Sequence, residues 1–375
     1  MTAPVRWEAV AAAGAARTGR LMTPHGSVDT PGFMPVGTRG SVKGIDAQDL
    51  RRLGAEMILA NTYHLSLRPG EGVVAALGGI QQFTGWRGPI LTDSGGYQVF
   101  SLAPRLSEAE VVFRSVYDGS EVRLSPERAM AIQESLGSDI AMVLDVLVGL
   151  PAPRVEVEAA MQQSLRWAAR ALAARRREDR AVFGIVQGGT DPDLRAESAA
   201  GTAALGFDGF GIGGLSVGEG REARNRALEA CIPELPEDKT RYVMGLGDTE
   251  GLVDAVARGA DLFDCVLPTR LARHGTALHP HGDLSMRSAA NASDSRPIQD
   301  DCGCPTCEHY SRGYIRHLLA TRELSGGRLL TLHNLHYTLD LLRRLRDAVV
   351  TGDFETLAAQ VLAARKIGQP DVTRI

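Results

Sequence analysis

Short apolar runs that end in Gly, Asp or Asn recur through the first two thirds of this chain and constrain its fold more than any other feature. They are Met57–Asn61, Ile90–Asp93, Ile140–Asp145, Val182–Gln187, Gly209–Leu215, Tyr242–Gly247 and Leu262–Leu267. Between most of them lie Ala-, Leu-, Arg- and Glu-rich segments of helical period, such as Glu156–Arg177, Asp193–Leu205 and Thr249–Arg258. A strand covered on both faces reads as a continuous apolar run, and its alternation with helices implies a parallel sheet wrapped by helices. Seven or eight such units favour an α/β fold of the irregular (β/α)8, or TIM, barrel kind over an open doubly wound sheet. The glycine-rich piece Gly209-Phe-Gly-Ile-Gly-Gly lacks the spacing of a dinucleotide-binding fingerprint.

With 375 residues there is room for one large domain with an insertion, or for two domains. No apolar run approaches the ~20 residues a membrane helix needs. The N-terminus, Met1-Thr-Ala-Pro-Val-Arg-Trp, lacks a basic region followed by an apolar core, so no secretory signal is expected. A net charge of −4 offers no global attraction to nucleic acid, so any polyanion must be bound through a local patch.

Cys302-Gly-Cys304-Pro-Thr-Cys307 places three of the five cysteines within six positions. Thiolates so clustered, with one imidazole, suit a closed tetrahedral zinc site, and a metal-type cluster without an export signal points to a reducing cytoplasm. Spacing alone leaves the fourth ligand open among His309, His317, His333 and His336; His333 lies 26 residues beyond Cys307. The segment from Ser288 to His336 also breaks the strand–helix alternation. It reads as an inserted zinc-binding subdomain, residues 288–336, with a helix over Tyr310–Leu319. The barrel then comprises residues 1–287 and 337–375, closing with helices Tyr337–Val350 and Phe354–Arg365.

Polar groups gather where the apolar runs end: Asn61, Asp93, Asp145, Gln187, Glu219 and Asp264. In a parallel barrel the carboxyl ends of the strands form the active-site face. Each such residue also has a structural explanation, because Asx side chains end strands and cap the next helix. Thr92-Asp93-Ser94-Gly95-Gly96-Tyr97-Gln98 offers an acid or base, glycines that let backbone approach a flat ligand, and Tyr97 to stack on it. Asp264 stands inside the apolar run Leu262-Phe-Asp-Cys-Val-Leu-Pro268, where a carboxylate is paired or functional. Its structural alternative is a salt bridge to Arg270 or Arg273. Two carboxylates on one rim suit chemistry at an anomeric carbon, one as nucleophile and one moving protons. Gln187-Gly-Gly189 and Gly213-Gly-Leu-Ser-Val-Gly-Glu219 add amide and acid groups suited to the edge of a purine-like base.

At these residues the chain resembles the tRNA-guanine transglycosylase family in its bacterial form. The matching stretches are Leu91-Thr-Asp-Ser-Gly-Gly-Tyr-Gln-Val-Phe-Ser-Leu102, Gly213-Gly-Leu-Ser-Val-Gly-Glu-Gly220, Met244-Gly-Leu-Gly247, Phe263-Asp-Cys-Val-Leu-Pro-Thr-Arg270 and the cysteine motif with His333. The resemblance implies a barrel with a zinc subdomain, usually a homodimer, that exchanges the wobble guanine of tRNAs with a G-U-N anticodon for a 7-deazaguanine base. It implies Asp264 as nucleophile and Asp93 as general acid/base. Asp145 and Gln187 would read the base edge with the backbone of Gly214 and Leu215, and Tyr97 and Met244 would sandwich the ring. Glu219 would adjust the nearby backbone, and Arg270 and Arg273 would grip the flanking uridines. Cys302, Cys304, Cys307 and His333 would hold zinc. The archaeal relatives carry extra C-terminal RNA-binding domains, for which a chain ending at Ile375 leaves no room. One stretch departs from the bacterial pattern. Where that pattern has Asp-Glu-Cys-Thr-Pro, this chain has Asp145-Val146-Leu147-Val148-Gly149, while Val217 keeps the bacterial type. The change lies near the 7-substituent of the incoming base, so 7-aminomethyl-7-deazaguanine and queuine both stand as substrates.

Overall fold

The computed structural model describes residues 4–100, 102, 105–215 and 218–367; Val217 lies outside them. Eight parallel strands close into a barrel: β1 (Gly32–Gly37), β2 (Ile58–Asn61), β3 (Ile90–Asp93), β4 (Ile140–Met142), β5 (Ala181–Val186), β6 (Gly209–Ile212), β7 (Thr240–Val243) and β8 (Leu262–Cys265). Each strand pairs with the next, and β8 returns to β1 with Leu262 opposite Gly32 and Asp264 opposite Met34. The expected fold class is therefore the observed one. Seven of the strands fall within or beside the apolar runs. β1 does not stand out in the sequence, because Pro35 interrupts it and glycines bound it, which reads as turn rather than central strand.

The helices between strands match their expected positions to within a few residues: Arg154–Ala173, Pro192–Ala204 and Thr249–Val256. Their starts have local causes. Asp191 and Asp248 accept hydrogen bonds from the first-turn amides of the helices they precede, and Pro192 occupies a position whose amide needs no partner. The core is filled by large side chains set against small ones. The Phe183 ring on β5 occupies the space that a Cβ on Gly209 of β6 would take.

Beside a two-stranded antiparallel sheet of Thr276–Ala277 and Leu284–Ser285, two three-stranded antiparallel sheets decorate the barrel. Arg6–Ala13, Ala16–Thr23 and Gly26–Thr30 form one, and Arg105–Leu106, Val111–Arg114 and Glu121–Leu124, inserted between β3 and β4, form the other. The first is anchored at the amino-terminal end of the barrel. There Arg17 Nε donates to Asp261 Oδ1 at 2.9 Å, and Asp261 immediately precedes β8. Asp139, Asp208 and Asp261, each entering a strand, also accept from a backbone N–H of the neighbouring strand at 2.9, 2.9 and 2.7 Å.

The helix expected over Tyr310–Leu319 spans Arg312–Ala320, and the last helix spans Phe354–Ile367. The helix expected to begin at Tyr337 begins instead at Leu324 and runs unbroken to Thr351. No helix among the described residues is long and apolar enough to cross a membrane.

Candidate active site and metal centre

The carboxyl ends of β1, β2, β3, β6, β7 and β8 open into one cleft of about 380 Å³. Its walls include Asp93, Tyr97, Asp145, Gly214, Leu215, Met244, Asp264 and Arg270, together with Asn61, Ser94, Leu147 and Tyr242. Ten residues singled out from sequence, these first eight with Asn61 and Leu147, are thus brought to one place. Gln187 stands just behind the wall, held through Asp145. Glu219 is half-buried and outside the wall. Arg273 is exposed, and its guanidinium turns back to donate to the Thr269 carbonyl at 3.0 Å.

Asp93 ends β3, and its carboxylate is fully engaged. Oδ2 accepts from Asn61 Nδ2 at 2.6 Å, and Oδ1 accepts from the amides of Thr62 and Gly95, each at 3.1 Å. Asn61 also caps the helix Thr62–Leu67 through His64 N, so the capping reading and the site reading are both true of it. Burial pushes the Asp93 carboxyl up to about 7; the amides of Thr62, Asn61 and Gly95 resist this rise, and the nearby charge of Asp264 adds to it.

Asp264 lies on β8 and has a different surround. Both of its hydrogen bonds fall on Oδ1, from the Tyr242 hydroxyl at 2.6 Å and the Gly245 amide at 2.7 Å. Among the described residues Oδ2 accepts none, and the alternative salt bridge to Arg270 or Arg273 is not formed. Burial raises its pKa while the two donors hold it down. Burial and the Asp264 charge keep the Tyr242 phenol well above its usual pKa, so it remains a donor. Tyr242 and Gly245 were not anticipated from sequence. A tyrosine opening the apolar run Tyr242–Gly247 was the available signal, because a buried hydroxyl needs a partner.

Asp145 stands in the loop that leaves β4. Gln187 Nε2 donates to its Oδ2 at 2.6 Å, and burial pushes it up to about 6 against that bond and the Ser94 hydroxyl. Two glycines make the arrangement possible. A Cβ on Gly96 would lie 2.8 Å from Asp145 Oδ1, and one on Gly214, whose φ is +66°, would lie 2.3 Å from Gln187 Oε1. Leu147 forms part of the cleft wall, and Val146 lies beneath it beside Gln187 and Gly214.

The cysteine motif and His333 converge as a separate centre. The Sγ atoms of Cys302, Cys304 and Cys307 lie 3.7, 3.6 and 3.4 Å from His333 Nδ1. In a tetrahedral site with metal–sulfur and metal–nitrogen bonds of about 2.3 and 2.0 Å, that edge is about 3.5 Å, so the four residues fit one metal ion. His333 Nε2 lies 2.8 Å from the Leu278 carbonyl, which selects the tautomer that leaves Nδ1 unprotonated toward the thiolates. Of the four histidines that spacing left open, this one is built as a ligand.

The family model described as queuine tRNA-ribosyltransferase matches residues 12–367. Similar proteins bearing that name include one from Moorella thermoacetica, 54% identical over 346 residues, covering 92% of this chain and 93% of its own. Another, from Desulforudis audaxviator, is 52% identical over 352 residues, covering 93% and 95%. A third, from Thermus thermophilus, is 49% identical over 368 residues, covering 98% and 95%. A match running through the barrel, the cleft and the cysteine centre alike means that this chain belongs to the queuine tRNA-ribosyltransferase family, the tRNA-guanine transglycosylases.

Proposed function

We propose that this chain exchanges the wobble guanine of tRNAs with a G-U-N anticodon (those for Asp, Asn, His and Tyr) for a 7-deazaguanine base, in queuosine biosynthesis. The observation that carries this reading is a pair of carboxylates, Asp93 and Asp264, that share one cleft in unlike surroundings. Asp264, steadied at Oδ1, attacks the ribose C1′ with its open Oδ2. The C1′–N9 bond breaks, its electron pair goes to guanine, and Asp93, kept protonated toward neutral pH by burial, gives N9 its proton. The incoming base returns that proton to Asp93, and its N9 displaces Asp264 from C1′. Two displacements at one carbon give retention and ping-pong kinetics.

Within the same reading Asp145, Gln187 and the backbone of Gly214 and Leu215 recognise the base edge. Tyr97 and Met244 hold the flipped ring between them, and Glu219 adjusts the adjacent backbone. Arg270 and Arg273 contact the neighbouring uridines. The metal at Cys302, Cys304, Cys307 and His333 is zinc, one per chain; four protein ligands leave no open position, so it cross-links the subdomain of residues 288–336. The protein works in the cytoplasm as a homodimer.

The favoured incoming base is 7-aminomethyl-7-deazaguanine. Queuine is the second reading, because the apolar Leu147 faces the cleft where the bacterial pattern has a polar side chain. Exchange of labelled guanine in a tRNA transcript, with each base as competitor, tests reaction and substrate together. Asp264→Ala is expected to abolish the exchange with metal content unchanged; full exchange by that variant defeats the mechanism.

A further inference from the structure

Most arginines of this chain are tied to carboxylates or carbonyls, as Arg166 is to Glu108, Arg170 to Glu127 and Arg221 to Asp254. On the cleft rim the pattern changes. Arg39 follows β1 and Arg68 follows the helix Thr62–Leu67 that leaves β2; both are exposed. Among the described residues, neither guanidinium has a hydrogen-bonding or ion-pair partner. Both instead lie against the ring of Tyr117, on the turn that joins the last two strands of the β3–β4 insertion. Arg39 Cζ is 5.4 Å and Arg68 Cζ 4.5 Å from its centroid.

The ring is itself held in place, because the Tyr117 hydroxyl and His64 Nδ1 lie 2.9 Å apart. His64 lies three residues after Asn61, whose side chain bonds Asp93, so the group is continuous with the cleft, and Thr38 beside Arg39 lines the cleft wall. The local field is positive: burial, then Arg39 and Lys43, hold His64 below its usual pKa. Asp118 lies close by without an ion pair to either guanidinium: its carboxylate accepts from Ser120 N at 3.2 Å and Ser120 Oγ at 2.8 Å, and the Ser115 hydroxyl, these two donors and the Arg68 charge hold its pKa down.

We propose that Arg39, Tyr117 and Arg68 form a shelf that binds the phosphodiester backbone of the RNA on the β1–β3 side of the cleft. Guanidiniums stacked on an aromatic face keep their outward N–H groups free and ordered, which suits bidentate contact with phosphate. A chain of net charge −4 needs such a local patch if it is to hold a polyanion at all.

The inference rests on the transglycosylase reading and is tested apart from it by the salt dependence of binding. The probe is an unmodified G-U-N tRNA transcript, and Kd is measured from about 50 to about 200 mM salt. Losing two phosphate contacts in Arg39→Ala/Arg68→Ala should flatten the log–log slope by about 1.4, so that the affinity gap to wild type narrows about sevenfold over that range. Arg39→Lys/Arg68→Lys keeps both charges and should keep the slope. Arg52→Ala/Arg87→Ala removes equal charge from exposed arginines at the opposite end of the barrel and should leave the slope alone. An unchanged slope in the first variant, with exchange intact in wild type, overturns the shelf. So does a change of oligomeric state without a change of slope, which would make this face a contact with a second copy. Failure of wild type to exchange guanine in the transcript would instead defeat the underlying reading.

Discussion

Asp93 and Asp264 are the same residue type on one rim, and their neighbours make them different. Asp93 is half-buried, accepts three hydrogen bonds and stands in the field of Asp264; Asp264 receives two donors on a single oxygen. With the Asp93 carboxyl pushed up to about 7, release of guanine in a single turnover should slow as pH rises through that value. Asp93→Asn should be slow at every pH and lose this inflection. The same shift acts on stability. The folded-state pKa lies above the unfolded one, so ionisation opposes folding: the penalty is absent below about 4, grows up to about 7 and is complete above it. Asp93→Asn should therefore raise Tm more at pH 8 than at pH 5. Equal gains would show that burial does not perturb this carboxyl. Both aspartates were legible as site residues from their places at strand ends. Their inequality was not, because a pKa follows from burial and neighbours that the local sequence does not contain.

At the scale of elements, the strands hold the site and the loops shape it. The turn at Gly214 passes so close to Gln187 that Gly214→Ala must displace either the amide or the backbone. It should raise the KM for the incoming base at least tenfold, an effect of about 1.4 kcal/mol, with the metal centre undisturbed. An unchanged KM would remove Gly214 from base recognition. At the other end of the barrel, Arg17 joins the amino-terminal sheet to Asp261, a carboxylate with no solvent exposure. Arg17→Met leaves that carboxylate buried with its principal cation gone and should cost about 3–5 kcal/mol in urea unfolding. Arg17→Met/Asp261→Asn should recover part of that loss. Neither this sheet nor the β3–β4 insertion was legible in the sequence. Their strands alternate only weakly: Arg6–Ala13 buries Trp7 amid mostly exposed or half-exposed residues. β1 was hidden by Pro35, whose missing N–H is tolerated here in a central barrel strand.

Across the whole molecule, the helix Leu324–Thr351 carries His333 on one stretch and packs against barrel elements along others, with Leu341, Leu342 and Leu345 buried in the core. The metal centre is thereby coupled to the barrel through a single rigid rod, and the Leu278 carbonyl bonded to His333 adds a second tie. Cys304→Ala should lose the metal, lower Tm and reduce soluble yield, and a strong chelator should lower the Tm of the unaltered protein. A stable, metal-replete variant would contradict a structural role. The expectation of a helix starting at Tyr337 failed because helical period continues smoothly back from Tyr337 through His333, so no local signal marks a helix start at 337.

The amino-acid sequence by itself determined the barrel class, the three cysteines, the family and nearly all the polar residues of the cleft. Those are carried by periodicity, spacing and short motifs, which are local in the chain. Tertiary structure alone decided that Tyr242 and Gly245 serve Asp264, that Gln187 holds Asp145, and that Arg39 and Arg68 share one ring. Each of these pairings joins residues far apart in the chain: Tyr242 and Asp264 are separated by 22 positions, Asp145 and Gln187 by 42, and Arg68 and Tyr117 by 49 (117 − 68). Side-chain chemistry is written residue by residue, whereas protonation, partnership and burial are properties of the space that the closed barrel brings those residues to share.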